Sequence, residues 1–199
     1  MSDKNKPLLL GISGVAKSGK DSLYKCLCNL YPHLGIERIA FADSLKGELS
    51  EIVMEHFGID LFDMTPAKKE LIRPLLVWWG CTKREILPDY WVDLAFADFD
   101  FYNCCDIVVV TDVRFDNERA RIQEMGGKVI YLERLWFNTG SLEWEILKPC
   151  NEEEKGYTLP IKEKADFHFT WPDFETGDFN LVGGQIALKA FLEDARILK

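Results

Sequence analysis

Residues 11–27, GISGVAKSGKDSLYKCL, carry Gly14, Gly19 and Lys20 in the spacing G-x-x-x-x-G-K. Glycines so placed let backbone N–H groups turn inward around phosphate oxygens. The start of a following helix adds partial positive charge, and the lysine reaches the terminal phosphates of a nucleotide. The whole segment Gly14, Val15, Ala16, Lys17, Ser18, Gly19, Lys20, Asp21 and Ser22 is therefore expected to bind one. Asp21 stands where the pattern carries Ser or Thr, whose hydroxyl ligates magnesium. A carboxylate still holds that ion, directly or through water, because magnesium favours oxygen ligands and keeps several waters; the neighbouring Ser22 hydroxyl can share the task. An acidic residue is also favoured in the first turn of any helix, so Asp21 has a purely structural reading as well.

A second constellation, TDVRFDNE, places Asp112, Arg114 and Glu118 just past an apolar run. At the end of a strand next to a phosphate loop, an acidic residue organises magnesium, water or a sugar hydroxyl. Asp112 and Arg114, two apart on an extended chain, share a face. The plain alternative is a local salt bridge, with Glu118 only complementing the dipole of the next helix. Lys46, Arg73 and Arg134 are further candidates for clamping donor or acceptor phosphates, as phosphoryl transfer requires, whereas Lys83 and Arg84 read as solvated surface charges. Trp78, Trp79, Tyr90 and Trp91 are candidates for stacking on a base, although tryptophans at helical spacing are mostly core. His33, His56 and His168 lack acidic or cysteine companions and read as structural or surface groups. There is no GxSxG elbow and no cysteine nucleophile.

Positioning these residues requires strands that alternate with helices. PLLLGIS, residues 7–13, reads as the first strand, followed by the loop and the helical KDSLYKCLCNLY. RIAFA, residues 38–42, reads as the second strand. Asp43 is the expected cap of a helix with Leu45, Leu49, Ile52, Val53 and His56 or Phe57 on one face. The next helix, 65–80, is expected to be capped by Thr65, to carry Pro66 at its first position and to close on Gly80. Pro74 is expected to kink or divide it and leave Arg73 at the break. DIVVVTDVR is the most strand-like segment, DNERARIQEMGG a helix ending on Gly126 or Gly127, and KVIYLER the next strand. From Trp136 to Lys164 periodicity fails, as expected of a lid or a disordered insertion. ADFHFTW and VGGQIALKAFLEDARIL supply a last strand and a closing helix. The pattern predicts an α/β fold, with a mainly parallel sheet, helices on both faces and ligands at the carboxyl ends of the strands.

With 199 residues and 47% hydrophobic content, the chain suits one well-buried domain. Its formal charge of −9 argues against gripping a long polyanion. The six cysteines show no CxxC pair or zinc spacing and are expected to be reduced and mostly buried. The apolar start is too short for a signal peptide or a span. A soluble, intracellular protein is expected.

With SGVAKSGKDS, FADSLK, LIRPLLVWWG, DYWVD and TDVRFDNERARIQEMGGKVIYLER in this order, and a terminal strand and helix, the chain resembles the phage-type deoxynucleoside monophosphate kinases. The similarity covers most of residues 8–134 and, loosely, 165–199. It implies a single P-loop kinase domain over 1–199, with a monophosphate-binding region at about 43–95 and a lid-like insertion at about 135–164. By resemblance, Gly14–Ser22 hold ATP and its magnesium, and Lys20 follows the transferred group. Lys46 and Arg73 meet the acceptor phosphate; Trp91, Asp112, Arg114 and Glu118 contact the deoxynucleotide. Lys20, Asp112, Arg114 and Arg134 form the catalytic set. The acidic stretch NEEEKG and the shortage of arginines after Arg134 depart from the family pattern. The implied partner is a small deoxynucleoside monophosphate, with no stable nucleic-acid or membrane binding, in a monomer or homodimer of the cytoplasm (the host cytoplasm, if phage-encoded). Two other readings stay open: a P-loop kinase for another small phosphorylated acceptor such as phosphomevalonate, and a nucleotide-binding switch with little or no hydrolysis.

Overall fold

The computed structural model of the protein describes residues 6–138, 140–171 and 181–198; the first five residues of the apolar start, and Thr139 of the irregular stretch, lie outside them. Strand β1 (Leu8–Ser13) is buried on both faces from Leu9 onwards, which is why it reads as an unbroken apolar run. Strands β3 (Ile107–Val113) and β4 (Lys128–Asn138) flank it in parallel, with Leu10 opposite Val109 and Gly11 opposite Val129. β2 (Ile36–Ile39) lies beside β3, and β6 (Phe167–Trp171) pairs in parallel with β4, giving the order β2, β3, β1, β4, β6. The distal part of β4 pairs antiparallel with β5 (Glu143–Ile146). Helices α1 (Lys20–Leu30) and α7 (Leu181–Asp194) cover one face, where Leu23, Leu27, Leu188 and Leu192 pack with Leu10, Ile12 and Leu132. Helix α5 (Asp116–Glu124) covers the other: a Cβ on Gly11 would come within 2.8 Å of Ile122 Cδ1, so a larger residue there would make the Ile122 side chain shift. The α/β architecture with helices on both faces is the one expected.

Two compact units make up the chain, one carrying the sheet and the other spanning Ile39–Phe101. The second is helical: α2 (Phe41–Phe57), α3 (Pro66–Ile86) and α4 (Tyr90–Phe96), around Leu49, Val53, Ile59, Leu61 and Ile72. Three expectations are corrected here. The second strand lies two residues earlier than read, and Phe41 already opens α2, because its ring is buried edge-on against Phe96 with centroids 5.8 Å apart. Ala40, without a side-chain bond, therefore occupies the capping position, and Asp43 sits in the first turn, paired with Lys46. The buried stripe of α2 is narrower than read, since Ile52 and Phe57 are 51% and 60% exposed.

Thr65 and Pro66 start α3 as expected, with the Thr65 hydroxyl accepting from Lys68 N. Pro74 does not divide it, and the helix runs on to Ile86. A proline inside a helix removes one backbone bond, and burial of Ile72, Leu75, Leu76 and Trp79 on both sides of Pro74 outweighs that loss. Gly80 is an interior contact, not a cap. A Cβ there would meet Leu45 Cδ1 at 2.8 Å, so a larger residue would make the Leu45 side chain of α2 shift.

The stretch after Arg134 is not a loop. β4 continues to Asn138, β5 follows, and α6 spans Glu152–Lys164. The buried positions of α6, Glu154, Thr158 and Ile161, do have helical spacing, but two of the three are polar, so hydropathy hides them. No disulfide forms among the described residues, yet Cys26 alone of the six cysteines is fully buried, while Cys81, Cys104 and Cys150 are exposed. Among the described residues no helix is long and apolar enough to cross a membrane.

Candidate functional site

The loop between β1 and α1 owes its shape to three residues with positive φ: Gly14 at 144°, Lys17 at 63° and Gly19 at 95°. Such backbone favours glycine, and crowding adds to the requirement. A Cβ on Gly14 would collide with the Leu132 carbonyl oxygen and lie 2.8 Å from Ser18 Oγ; one on Gly19 would lie 3.0 Å from the Trp171 ring. The strands behind hold the loop in place. The Trp171 indole N–H donates to Ser18 O at 3.2 Å, and Arg134 Nη1 donates to Lys17 O at 3.2 Å. The hydroxyls of Ser13 and Ser18 are buried with no hydrogen-bond partner among the described residues.

Lys20, the first residue of α1, folds back over the loop and donates to Gly14 O at 2.8 Å and Val15 O at 2.9 Å. Burial, followed by repulsion from Arg114, lowers its pKa from the ordinary 10.5 to about 8; the carboxylates of Glu154, Asp21 and Asp112 act in the opposite sense. Glu154, only 6% exposed, lies against the same loop, its Oε1 accepting from Ala16 N at 2.6 Å and its Oε2 from Cys150 N at 2.7 Å. Burial opposes its charge, but the Cys150 and Ala16 amides, with the nearby Lys20 ammonium, hold the carboxyl below its usual range.

Asp112 is half-buried near the end of β3, and Arg114 is exposed just beyond. Glu118 is 2% exposed and its Oε2 accepts from Arg114 N at 2.7 Å and Phe115 N at 3.1 Å, which fixes the turn carrying Arg114 into α5. These bonds place the Glu118 carboxylate on the amides at the start of α5. Asp21 is exposed and Ser22 half-buried in the first turn of α1. No cluster of three or more metal-ligating side chains exists among the described residues. Magnesium on a nucleotide uses one or two carboxylates with water and phosphate oxygens, so Asp21 and Ser22 suit that ion. A cavity of about 540 Å³, lined by Val15, Tyr131, Glu133, Lys148 and Lys162 among others, adjoins the loop.

The structure thus gathers Lys20, Asp21, Asp112, Arg114 and Arg134 around one loop. Lys46, Arg73 and Trp91 belong to the other unit. Lys46 pairs with Asp43 at 2.9 Å and stands 5.4 Å from the centre of the Phe62 ring. Arg73 is at no break; it projects from continuous α3, 61% exposed, and pairs with Glu70 at 3.3 Å. Trp91 is 1% exposed and donates to Gly80 O at 3.1 Å, so it is a packing residue with no free face for a base. Lys83 is more than a solvated charge, since it bonds Glu48 at 2.7 Å and lies 4.3 Å from the Tyr90 ring centre. The three histidines are exposed. Sequence reasoning missed Glu154 and Trp171. Asn151-x-x-Glu154, a capping pattern with Asn151 Oδ1 accepting from Glu154 N at 2.7 Å, is the signal that marks the start of α6.

The resemblance read from the sequence has a counterpart among curated proteins. The chain is 27% identical over 154 residues, 64% of its length and 74% of the relative's, to a protein of Acanthamoeba polyphaga mimivirus named "Putative deoxynucleotide monophosphate kinase". No protein-family model matches the chain. Solved structures that align with it include shikimate kinase from Aquifex aeolicus, at 13% identity and TM-score 0.46, covering 96% of this chain and 100% of that one. Dephospho-CoA kinase from Campylobacter jejuni aligns at 14% identity and TM-score 0.46, with 94% and 96% coverage.

Proposed function

We propose that this protein transfers the γ-phosphoryl group of ATP to a deoxynucleoside monophosphate, giving ADP and the deoxynucleoside diphosphate. The observation that carries the reading is the loop after β1: two glycines that only glycine can be, and a lysine folded over their carbonyls, with Asp112 and Arg114 beside it. The named viral relative supports the choice of acceptor.

In this reading the loop amides and the start of α1 bind the donor phosphates. Lys20 exchanges its two carbonyl partners for phosphate oxygens and stays charged as the γ-phosphoryl group moves. Asp21, with Ser22, would hold the magnesium ion of the nucleotide, whose chemistry there is to neutralise phosphate charge. Arg114 and Arg134 supply positive charge to the transition state, and Asp112 orients the acceptor. Glu118 acts by fixing the Arg114 backbone. Residues 43–95 supply the acceptor region, where Lys46 and Arg73 meet the monophosphate and Trp91 keeps α3 and α4 in register. Residues 135–164 act as the lid that excludes water. Transfer is direct and in line, without a covalent enzyme intermediate.

The test is ADP release from magnesium ATP with each deoxy and ribo monophosphate offered separately, beside a control without acceptor. Stimulation by particular deoxynucleotides is expected. ADP release that never exceeds the control, in protein that binds ATP, would refute the proposal and favour another phosphorylated acceptor or a nucleotide-binding switch.

A further inference from the structure

The anion that the phosphate loop holds here is the protein's own. Glu154 Oε1 takes the Ala16 N–H, and its carboxylate acts on the Lys20 ammonium, so it engages a donor and a cation that the reading above gives to nucleotide phosphate. A phosphate arriving beside this buried carboxylate meets a like charge within the same shell of donors, which disfavours joint occupancy. We propose that Glu154 is a built-in anionic plug of the phosphate loop, and that nucleotide binding expels it together with the first turn of α6; the inference rests on the kinase reading.

Helix α6 is built to let its first turn go. Gly156, the weakest ordinary helix former, follows Glu154 by two residues. Pro160 lies inside the helix and has no N–H to give the Gly156 carbonyl, so the first turn and the rest of α6 are weakly joined. The far half is fastened separately, by Lys162 to Glu133 at 2.6 Å and Lys164 to Asp116 at 2.8 Å. The near half is tied down by the Glu154 carboxylate, whose other oxygen holds Cys150 N, and by Asn151 capping Glu154 N. Release of the carboxylate therefore loosens residues 150–155, which stay joined to the second turn by Thr158 Oγ1 donating to Glu154 O at 2.7 Å, while Ile161 stays in the core.

The experiment is calorimetric titration of ADP and of inorganic pyrophosphate into the wild-type protein, Glu154→Gln and Asn151→Ala, with peptide-resolved hydrogen exchange over residues 148–158. A loop plugged nine-tenths of the time shows an apparent Kd about tenfold above its intrinsic value. Glu154→Gln, which removes the charge and keeps the shape, is expected to tighten both ligands by about that factor. Asn151→Ala, which loosens the turn and leaves the carboxylate, is expected to tighten them less. Saturating ADP is expected to speed exchange at the Cys150 and Glu154 amides of the wild type. Equal or weaker binding to Glu154→Gln, or unchanged exchange at Cys150 with ADP bound, would overturn the plug and leave the kinase reading standing. Failure of every variant to bind either ligand would instead overturn the kinase reading.

Discussion

Deprotonating Lys20 should weaken nucleotide binding in a pH range where lysines are ordinarily fully charged. Its pKa in the free protein is about 8, against an ordinary 10.5, because burial and Arg114 disfavour the ammonium. Bound phosphate outweighs both causes by placing negative charge beside the nitrogen, so the pKa in the complex lies higher than in the free protein. Affinity is then complete below pH 8 and falls as pH rises past it. At pH 9 about one lysine in ten is still charged, which costs roughly tenfold in affinity relative to pH 7. Calorimetry of ADP binding at pH 7, 8 and 9, in buffers of different ionisation enthalpy, measures the loss and the accompanying proton uptake, about half a proton at pH 8. Lys20→Arg provides the control: its guanidinium does not titrate below about pH 12, so affinity, though lower throughout, should be flat with pH. A wild-type profile that is flat from pH 7 to 9, or a tenfold fall that persists in Lys20→Arg, would refute the assignment of that pKa to phosphate binding.

Asp21→Ala is expected to raise the magnesium concentration needed for half-maximal activity far more than it raises KM for ATP; equal changes in both would count against a metal role. Gly14→Ala forces a Cβ against the Leu132 carbonyl at a φ of 144° and should destabilise the fold by roughly 2–3 kcal/mol, read as a lowered urea midpoint. Trp171→Phe removes the N–H that holds Ser18 O; a loss of about 1 kcal/mol in stability is expected, with weaker ADP binding as the loop loosens, and unaltered binding would show that the loop needs no such support. Trp91→Phe strips the donor from Gly80 O inside α3 and should cost about 1–2 kcal/mol without changing which base is accepted; a changed base preference in the ADP-release assay would restore Trp91 to the acceptor site.

What the sequence made legible follows how locally each feature is encoded. The phosphate loop announces itself because its glycines answer to backbone geometry within six residues, and because β1 and α1 carry clean strand and helix patterns. β3 is legible for a similar reason: its first four residues, Ile107–Val110, are buried on both sides and apolar. The helical unit misled where tertiary packing overrode a local rule. Pro74 and Gly80 are breakers by propensity, yet both lie inside α3, since the packing of Ile72, Trp79 and Leu45 decides there. Helix α6 was hidden by its own function-bearing residue, for its buried face includes a carboxylate that pairs with the loop instead of with solvent. The role of Glu154 could not be read from spacing at all, because Ala16 is 138 positions away.

Local charge explains how a chain of net −9 could still take the nucleotide proposed for it. The cations that matter are few, and two of those around the loop are engaged within the protein: Lys20 by two carbonyls, with three carboxylates nearby, and Arg134 by Lys17 O. Lys20, despite those carboxylates, is still easier to deprotonate than an ordinary lysine, because burial and then Arg114 disfavour its ammonium. A nucleotide brings several negative charges where Glu154 brings one, and exchange of the carboxylate for phosphates is favourable to the extent that the loop amides and Lys20 are better satisfied afterwards. Ser18, whose hydroxyl is buried in the loop without a partner among the described residues, points the same way, since an unmet buried hydroxyl costs stability until a donor or acceptor reaches it.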